Sequence, residues 1–385
     1  MIQQATDSFR KELQLLEAQS NLRQLPDVEH CGKDIICHGK RMLNLSSNDY
    51  LGLATDTPLR KAFLETLTPE RFLPSSSSSR LLTGNFSAYT ELEDCLCRLF
   101  GAESALVFSS GYHTNTGILP AVCNAKTLIL ADKLVHASLI DGIRLSSAQH
   151  IRYKHNNYEH LESLLRKHRH DYERIIIVTE SIFSMDGDEA DLRRLAGLKK
   201  EYPQVLLYVD EAHAIGVRGD KGLGCAEEQG CVEDIDFLIG TFGKALASVG
   251  GYIICKKEIR DYLINKMRTL IFTTALPPIN LMWSSFVMER LEGMRERRNH
   301  LENIRSFLKE KLMEKGYECT SASHIIPVVT GDSRAAILKA EEMQRKGFYA
   351  LPVRPPTVPE GSSRIRLSLT ASLSKEEVEQ FADIV

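Results

Sequence analysis

The chain has 385 residues, 43% hydrophobic and 26% charged, with 48 Lys+Arg against 51 Asp+Glu for a net charge of −3. That length predicts one large domain or two to three modest ones, with a core that needs no metal or cross-link, and the composition excludes disorder, collagen and a disulfide scaffold. The near-even charge gives no reason to expect a nucleic-acid surface, and nine scattered Cys with no CxxC pair fit reduced thiols in the cytoplasm.

The N-terminus, MIQQATDSFRKELQ, lacks the basic-then-apolar pattern of a secretory signal. Residues 1–25 predict an amphipathic helix, with Phe9, Leu13 and Leu16 at i, i+4 and i+7. NLSSNDYLGL follows at 44–53, then five serines at 75–79 whose composition alone reads as a flexible linker. The middle alternates. Apolar runs at 105–108, 127–131, 174–180, 205–210 and 236–243 predict buried strands, separated by helical stretches such as 160–168 and 191–200. That alternation predicts an α/β fold with a mostly parallel sheet. The uncharged stretches 104–125 and 269–288 are long enough to cross a bilayer, but their Ser, Thr, Asn and Pro content reads as buried or active-site chain and no membrane span. From about 286 the texture changes to a charged helix (Leu301, Ile304, Leu308, Leu312) and short strands at 324–329 and 364–370 around a Pro-rich loop. The expected division is an N-terminal helical arm (1–45), a large α/β domain (46–285) and a small α+β domain (286–385).

Ligands on parallel sheets sit at the carboxyl ends of the strands, and four such ends carry unusual polar residues. Asp210 closes the run VLLYV, so its carboxylate lies at the edge of a low-dielectric core and calls for a cation: an Arg, a metal or a protonated ligand nitrogen. A plain helix N-cap is the alternative. His213 lies three residues on. Asp-Glu-Ala-His also resembles the acidic box of a helicase-type NTPase, but no GxxxxGK[ST] is present and the Gly243-Lys244 pair follows the box. Lys244 ends another buried run. A lysine withdrawn from water becomes a nucleophile suited to Schiff-base chemistry, although Gly-Lys alone reads better as an exposed turn. Ser109-Ser110-Gly111-Tyr112 lies between a strand and a helix start, where backbone N–H groups bind phosphate, and a capped turn is the plain alternative. His136 gains meaning only within the set. Together these elements describe a pyridoxal phosphate site, with Asp210 keeping the pyridine nitrogen protonated and Lys244 holding the aldehyde.

The segments NLSSNDYLGL, SSGYHTN, DKLVHASL, TESIFSMDGD, YVDEAHAIGV, DFLIGTFGKALASVGGY, FTTALPP and VRPPTVPEGSSRIRLSLTA run through nearly the whole chain. With them the sequence resembles the α-oxoamine synthases, fold-type I pyridoxal 5'-phosphate enzymes that condense an amino acid with an acyl-CoA. The last block is most similar to the biotin-pathway branch, which implies L-alanine and a pimeloyl thioester as substrates. By this resemblance Lys244 is the Schiff-base lysine, Asp210 the partner of the pyridine nitrogen, His213 the group on the phenolic oxygen and His136 the ring stacker. Gly111 and Tyr112 match the phosphate turn, Ser184 and Thr241 further cofactor contacts, and Glu180 an acidic residue beside the site. Thr274 matches a phosphate contact supplied by the other subunit, which implies a homodimer with shared sites. Asn48 and Arg366 match the holders of the substrate carboxylate, Arg23 an arginine near the far end of the acyl chain, and Thr357 a threonine of the small-domain loop. Arg80, Arg364 and Arg366 are expected together where anionic substrates bind. The chain departs from the family pattern at 75–79, where the family has glycines, and at Tyr89, where it often has His. Rival readings are another α-oxoamine synthase acting on glycine or serine, and a cofactor-less partner subunit, against which the presence of Lys244, Asp210 and His136 speaks.

Overall fold

The computed structural model describes residues 2–385, with side chains from residue 6 onward. In chain order the elements begin with α1 (Ile2–Ala18), β1 (Val28–Cys31), β2 (Asp34–Cys37), β3 (Lys40–Asn44), α2 (Thr57–Leu64) and α3 (Ser87–Phe100). Then come β4 (Ser104–Phe108), α4 (Gly111–Val122), β5 (Thr127–Asp132), α5 (Ala137–Leu145), β6 (Gln149–Tyr153), α6 (Tyr158–His168), β7 (Arg174–Glu180), α7 (Leu192–Glu201) and β8 (Val205–Asp210). The chain continues through α8 (Cys225–Glu228), β9 (Phe237–Thr241), β10 (Gly251–Cys255), α9 (Lys257–Lys266), α10 (Arg268–Ile271), α11 (Pro278–Met288) and α12 (Arg295–Glu314). It closes with β11 (Ile325–Gly331), α13 (Ser333–Arg345), β12 (Phe348–Tyr349), β13 (Pro352–Val353), β14 (Ser363–Ser368) and α14 (Lys375–Ile384).

Two compact units result. The central unit is Leu51–Ser184 with Glu189–Asn299, and the second gathers the chain up to Tyr50, Met185–Asp188 and His300–Val385. This differs from the three expected segments: the N-terminal segment belongs with the C-terminal residues, and the later boundary falls inside α12. The cause is backbone pairing. β3 pairs in parallel with β12, and Ser368 N–H donates to Leu45 C=O at 2.8 Å. Met185–Asp188 joins this unit because Ala322 N–H donates to Gly187 C=O at 3.0 Å and Arg364, itself buried, pairs with Asp186.

The central unit is built on a seven-stranded sheet in the order β4-β10-β9-β8-β7-β5-β6. β9, β8, β7, β5 and β6 are mutually parallel, and β10 is antiparallel to both β4 and β9. The apolar runs behave as their composition predicts. Leu128–Ala131 and Ile175–Val178 are fully withdrawn from water, as strands covered on both faces must be. Each such aliphatic side chain contributes about 1.5–3 kcal/mol relative to exposure. β6 (QHIRY) escapes a hydrophobic reading because it is an edge strand with one buried residue. Helix starts are set locally by side-chain caps: Ser110 for α4, His136 for α5, Asn157 for α6 and Asp191 for α7.

Insertion of β10 beside α4 depends on a missing side chain. A Cβ on Gly251 would stand 2.6 Å from Thr114 Oγ1 and 2.9 Å from Gly111 N. Gly251→Ala is therefore expected to cost about 1–3 kcal/mol by overpacking. Gly197→Ala, inside α7 with nothing within 4 Å, is expected to gain up to about 1 kcal/mol from helix propensity. Urea unfolding of the two variants measures both signs.

Candidate active site

The carboxyl ends of the parallel strands gather the chemistry. Glu180 ends β7, and its Cα is paired in register with that of Asp210, which ends β8. Thr241 ends β9, and His136 stands four residues beyond the end of β5. Ser110 and Gly111 follow β4. Lys244 Nζ lies 2.8 Å from His213 Nε2, and His213 is buried. Ser184, also buried, follows β7. The Thr241 hydroxyl donates to Gly250 C=O at 2.9 Å and accepts Gly243 N–H at 3.1 Å, fastening the turn that carries Lys244. Tyr112, at the start of α4, is exposed and its hydroxyl donates to the Asp141 carboxylate of α5. Thr274 is exposed, and its carbonyl accepts from Ser109 Oγ at 3.4 Å, so it lies beside the α4 turn of its own chain.

Asp210 is buried and its hydrogen-bond partners are neutral: Asn115 Nδ2 at 2.7 Å and Ala212 N at 2.9 Å. The second contact closes a local turn, and no helix starts at Asp210 for it to cap as the sequence alternative expected. It leaves a buried carboxylate with no cation in ion-pair contact among the described residues. The ionisable neighbours respond to this. Burial, reinforced by Asp210, pushes the Glu180 carboxyl well above its ordinary value, with Lys244 and the His136 N–H acting against the shift. His136 keeps solvent exposure, yet withdrawal from water by the protein around it pushes its imidazole down, aided by Lys244 and opposed by Asp210 and Asp141. His136 Nδ1 accepts Ser138 N–H at 3.2 Å and stands 2.8 Å from Ser138 Oγ.

In the second unit, Arg366 Nη1 donates to Asn48 Oδ1 at 3.1 Å and to Ser368 Oγ at 2.6 Å, and Nη2 donates to the Tyr50 hydroxyl at 3.3 Å. Tyr50 in turn donates to Asn48 at 2.9 Å. Burial pushes the Tyr50 phenol up, and Arg366 acts against that shift. Arg23 donates to Thr357 Oγ1 at 2.9 Å, so those two candidates meet on the loop 354–357. The expectation for Arg80 and Arg364 is corrected. Arg80 is held by Glu93 at 2.7 Å, by Val107 C=O at 2.9 Å and over the Tyr89 ring, and Arg364 is spent on Asp186. The Arg80 pair is nearly buried and the Arg364 pair half-buried, and both build the fold.

The model of the aminotransferase class I and II family matches residues 40–385. Among curated relatives, putative 8-amino-7-oxononanoate synthases of Glaesserella parasuis and Haemophilus influenzae are 55% and 52% identical, over 97% and 98% of this chain and 98% and 99% of theirs. Among solved structures, a serine palmitoyltransferase variant from S. paucimobilis with a bound PLP-myriocin aldimine superposes with a TM-score of 0.90 at 27% identity, covering 99% of this chain and 96% of that one. The 8-amino-7-oxononanoate synthase of Francisella tularensis superposes at 0.76 and 27% identity, covering 89% and 96%. The chain belongs to the class I and II aminotransferase family. Within it, the chain is an α-oxoamine synthase of fold type I and a PLP-dependent enzyme.

The residues present fit this family's cofactor. A buried carboxylate with no ion-pair partner among the described residues suits a protonated ring nitrogen, a ligand that brings a positive charge with it. The N–H groups at the start of α4, twelve residues long and capped by Ser110, suit a phosphate. Lys244 supplies the amine, and no cluster of His, Cys, Asp or Glu among the described residues could hold a metal in its place. Sequence reasoning missed Asn115. It lies inside the quoted SSGYHTN segment, but only the fold brings it against Asp210.

Glu180 yields a pH prediction. Its unfolded carboxyl ionises near 4.5, while the folded one retains its proton well above that. The native state therefore holds a proton the unfolded chain has lost, and stability from this group falls as pH rises above about 4.5. Glu180→Gln keeps the acceptor for His136 N–H and removes the titration. Its stability relative to the parent, followed by urea unfolding against pH, is expected to rise with pH, and its PLP affinity at pH 7 to stay within about threefold, since a hydrogen bond between neutral groups is retained.

Proposed function

We propose that the enzyme condenses L-alanine with a pimeloyl thioester, releasing CoA or the carrier thiol and CO2 and leaving 8-amino-7-oxononanoate, the product of a step in biotin synthesis. The observation that carries this reading is 52–55% identity over nearly full length to proteins bearing that name. In this reading PLP, held by Asp210, His136, His213, Lys244, Ser184, Thr241 and the Gly111-Tyr112 turn, supplies an electron sink at the substrate's α-carbon. Arg366, held in place by Asn48, Ser368 and Tyr50, takes the alanine carboxylate through paired N–H donors. The Lys244 amine removes the α-proton, and His213, 2.8 Å away, is placed to share it. The new C–C bond forms at the thioester carbonyl, the thiolate leaves, and the β-keto acid loses its carboxylate as CO2. Arg23 is assigned to the far end of the acyl chain, and Thr357, which accepts from it, to the small-domain loop of the active site.

A homodimer in which Thr274 serves the partner's phosphate is part of the proposal. Exposed apolar side chains near it in sequence and along the serine run, Phe272, Phe72, Leu81 and Leu82, favour a covered surface. Nine free thiols fit a reducing compartment, the cytoplasm. No helix among the described residues is long and apolar enough to cross a membrane. A second reading, a long acyl-CoA with serine, is favoured by the closer superposition on serine palmitoyltransferase, though at 27–29% identity.

A panel of acyl-CoA donors crossed with alanine, glycine and serine tests the choice. Alanine with the pimeloyl donor is expected to give the highest kcat/KM, and preference for serine with a long chain would replace the reading by the second. Arg366→Ala is expected to raise the KM for alanine by about 10–100-fold, the worth of a charge-assisted hydrogen bond, while leaving the absorbance of bound cofactor unchanged.

A further inference from the structure

Asn115 is buried, and each of its side-chain polar atoms is engaged. Nδ2 donates to Asp210 Oδ2 at 2.7 Å and to Ser138 Oγ at 2.9 Å, and Oδ1 accepts the Tyr208 hydroxyl at 2.6 Å. The orientation of the amide is forced, because an amide oxygen turned toward the carboxylate would find no proton between them. Tyr208 is buried and stacked on Phe237, so its O–H has one direction to point. The close approach of α5 to α4 that brings Ser138 within reach depends on Gly142, whose Cβ would stand 2.4 Å from the Asn115 carbonyl. From Ser138 the path continues to His136. The Ser138 backbone N–H donates to Nδ1 at 3.2 Å. With its oxygen occupied as acceptor by Asn115, the Ser138 hydroxyl has its proton available for the same Nδ1 at 2.8 Å. Both donors need a lone pair on Nδ1, so the imidazole proton sits on Nε2.

We propose that Asn115 is the positioning residue that couples the two protein groups assigned to the cofactor ring: one amide proton orients the Asp210 carboxylate, and the other, through Ser138, fixes His136 as the neutral Nε2–H tautomer. The inference rests on the PLP site and not on the choice of substrate. It assigns a reason for an amide at this point. Only an amide offers two protons and one acceptor in a plane, and a carboxylate, a hydroxyl or an apolar side chain would break at least one arm. The ionisable groups around Asp210, His136, Glu180 and Tyr208 are these four themselves with Asp141 of α5, Lys244, Asp132 at the end of β5 and Cys123.

The test uses full-length holoenzyme and no substrate, so its failure is separate from failure of the substrate reading. 15N-histidine NMR reads the His136 tautomer, and equilibrium dialysis against pH reads PLP affinity. In the parent, a single Nε2–H form is expected. Asn115→Leu is expected to give mixed tautomers and a PLP affinity weakened at least about tenfold at every pH, the worth of one hydrogen bond to a charged group. Asn115→Asp can donate to Asp210 only while protonated. It is expected to bind PLP close to normally at low pH and to lose affinity, by up to about tenfold per pH unit, once that proton leaves. Ser138→Ala keeps the Asp210 arm and the backbone N–H donor to Nδ1 but removes the hydroxyl donor, and is expected to give mixed tautomers with PLP affinity within about threefold. Unchanged tautomer in folded Asn115→Leu, or a flat pH profile for Asn115→Asp, overturns the proposal. If neither variant folds, Ser138→Ala decides, because an unchanged tautomer there also overturns it.

Discussion

A carboxylate buried at the end of β8, with no ion-pair partner among the described residues, is the constraint on which the rest of this enzyme depends. An isolated charge at the edge of a core is costly, and the fold answers with a fixed amide and a backbone N–H rather than with a salt bridge. That leaves Asp210 hydrogen-bonded through both oxygens and without an ion pair among the described residues, an arrangement that suits a protonated ring nitrogen. Burial, reinforced by that charge at the end of the adjacent parallel strand, pushes the Glu180 carboxyl well above its ordinary value.

The sheet explains why these groups meet. Parallel strands deliver every chain end to one edge, so Ser110, His136, Glu180, Asp210 and Lys244 converge although they are scattered over the central unit. β10, entering antiparallel beside β4 and β9, brings Gly250 and Gly251 to the same edge. Gly250 there anchors the Thr241 hydroxyl, and Gly251 leaves room for the start of α4. The turn that carries Lys244 and the start of α4 are thus set by one strand.

The serine run illustrates how a departure from a family pattern is absorbed. Composition alone reads residues 75–79 as a linker, yet Ser76 Oγ donates to Ala275 C=O at 2.7 Å and Ala275 N–H donates to Ser78 C=O at 2.9 Å. Ser77 adopts φ 50, the left-handed backbone for which the family's glycine is suited, and accepts the modest cost that a non-glycine residue carries there. Tyr89 is accommodated in the same region by accepting Leu276 N–H at 2.7 Å.

Strand identity, the alternation of the central unit and the residues at the strand ends were legible in the sequence, because each depends on a short local pattern: an apolar run and the polar residue that stops it. Partnership was not. Asn115 reaches Asp210 across 95 residues of sequence and Tyr208 across 93, and nothing in SSGYHTN marks its amide as different from any other. Arg80 and Arg364 looked like substrate cations by residue type, and only the packing that set Glu93 and Asp186 against them made them structural. The N-terminal segment looked like a separate arm until β3 paired with β12. The sequence by itself determined which chemical groups this protein owns and which strand ends present them. The tertiary structure decided which of those charges are neutralised and which stay available for a ligand, because that depends on hydrogen bonds between residues far apart in the chain.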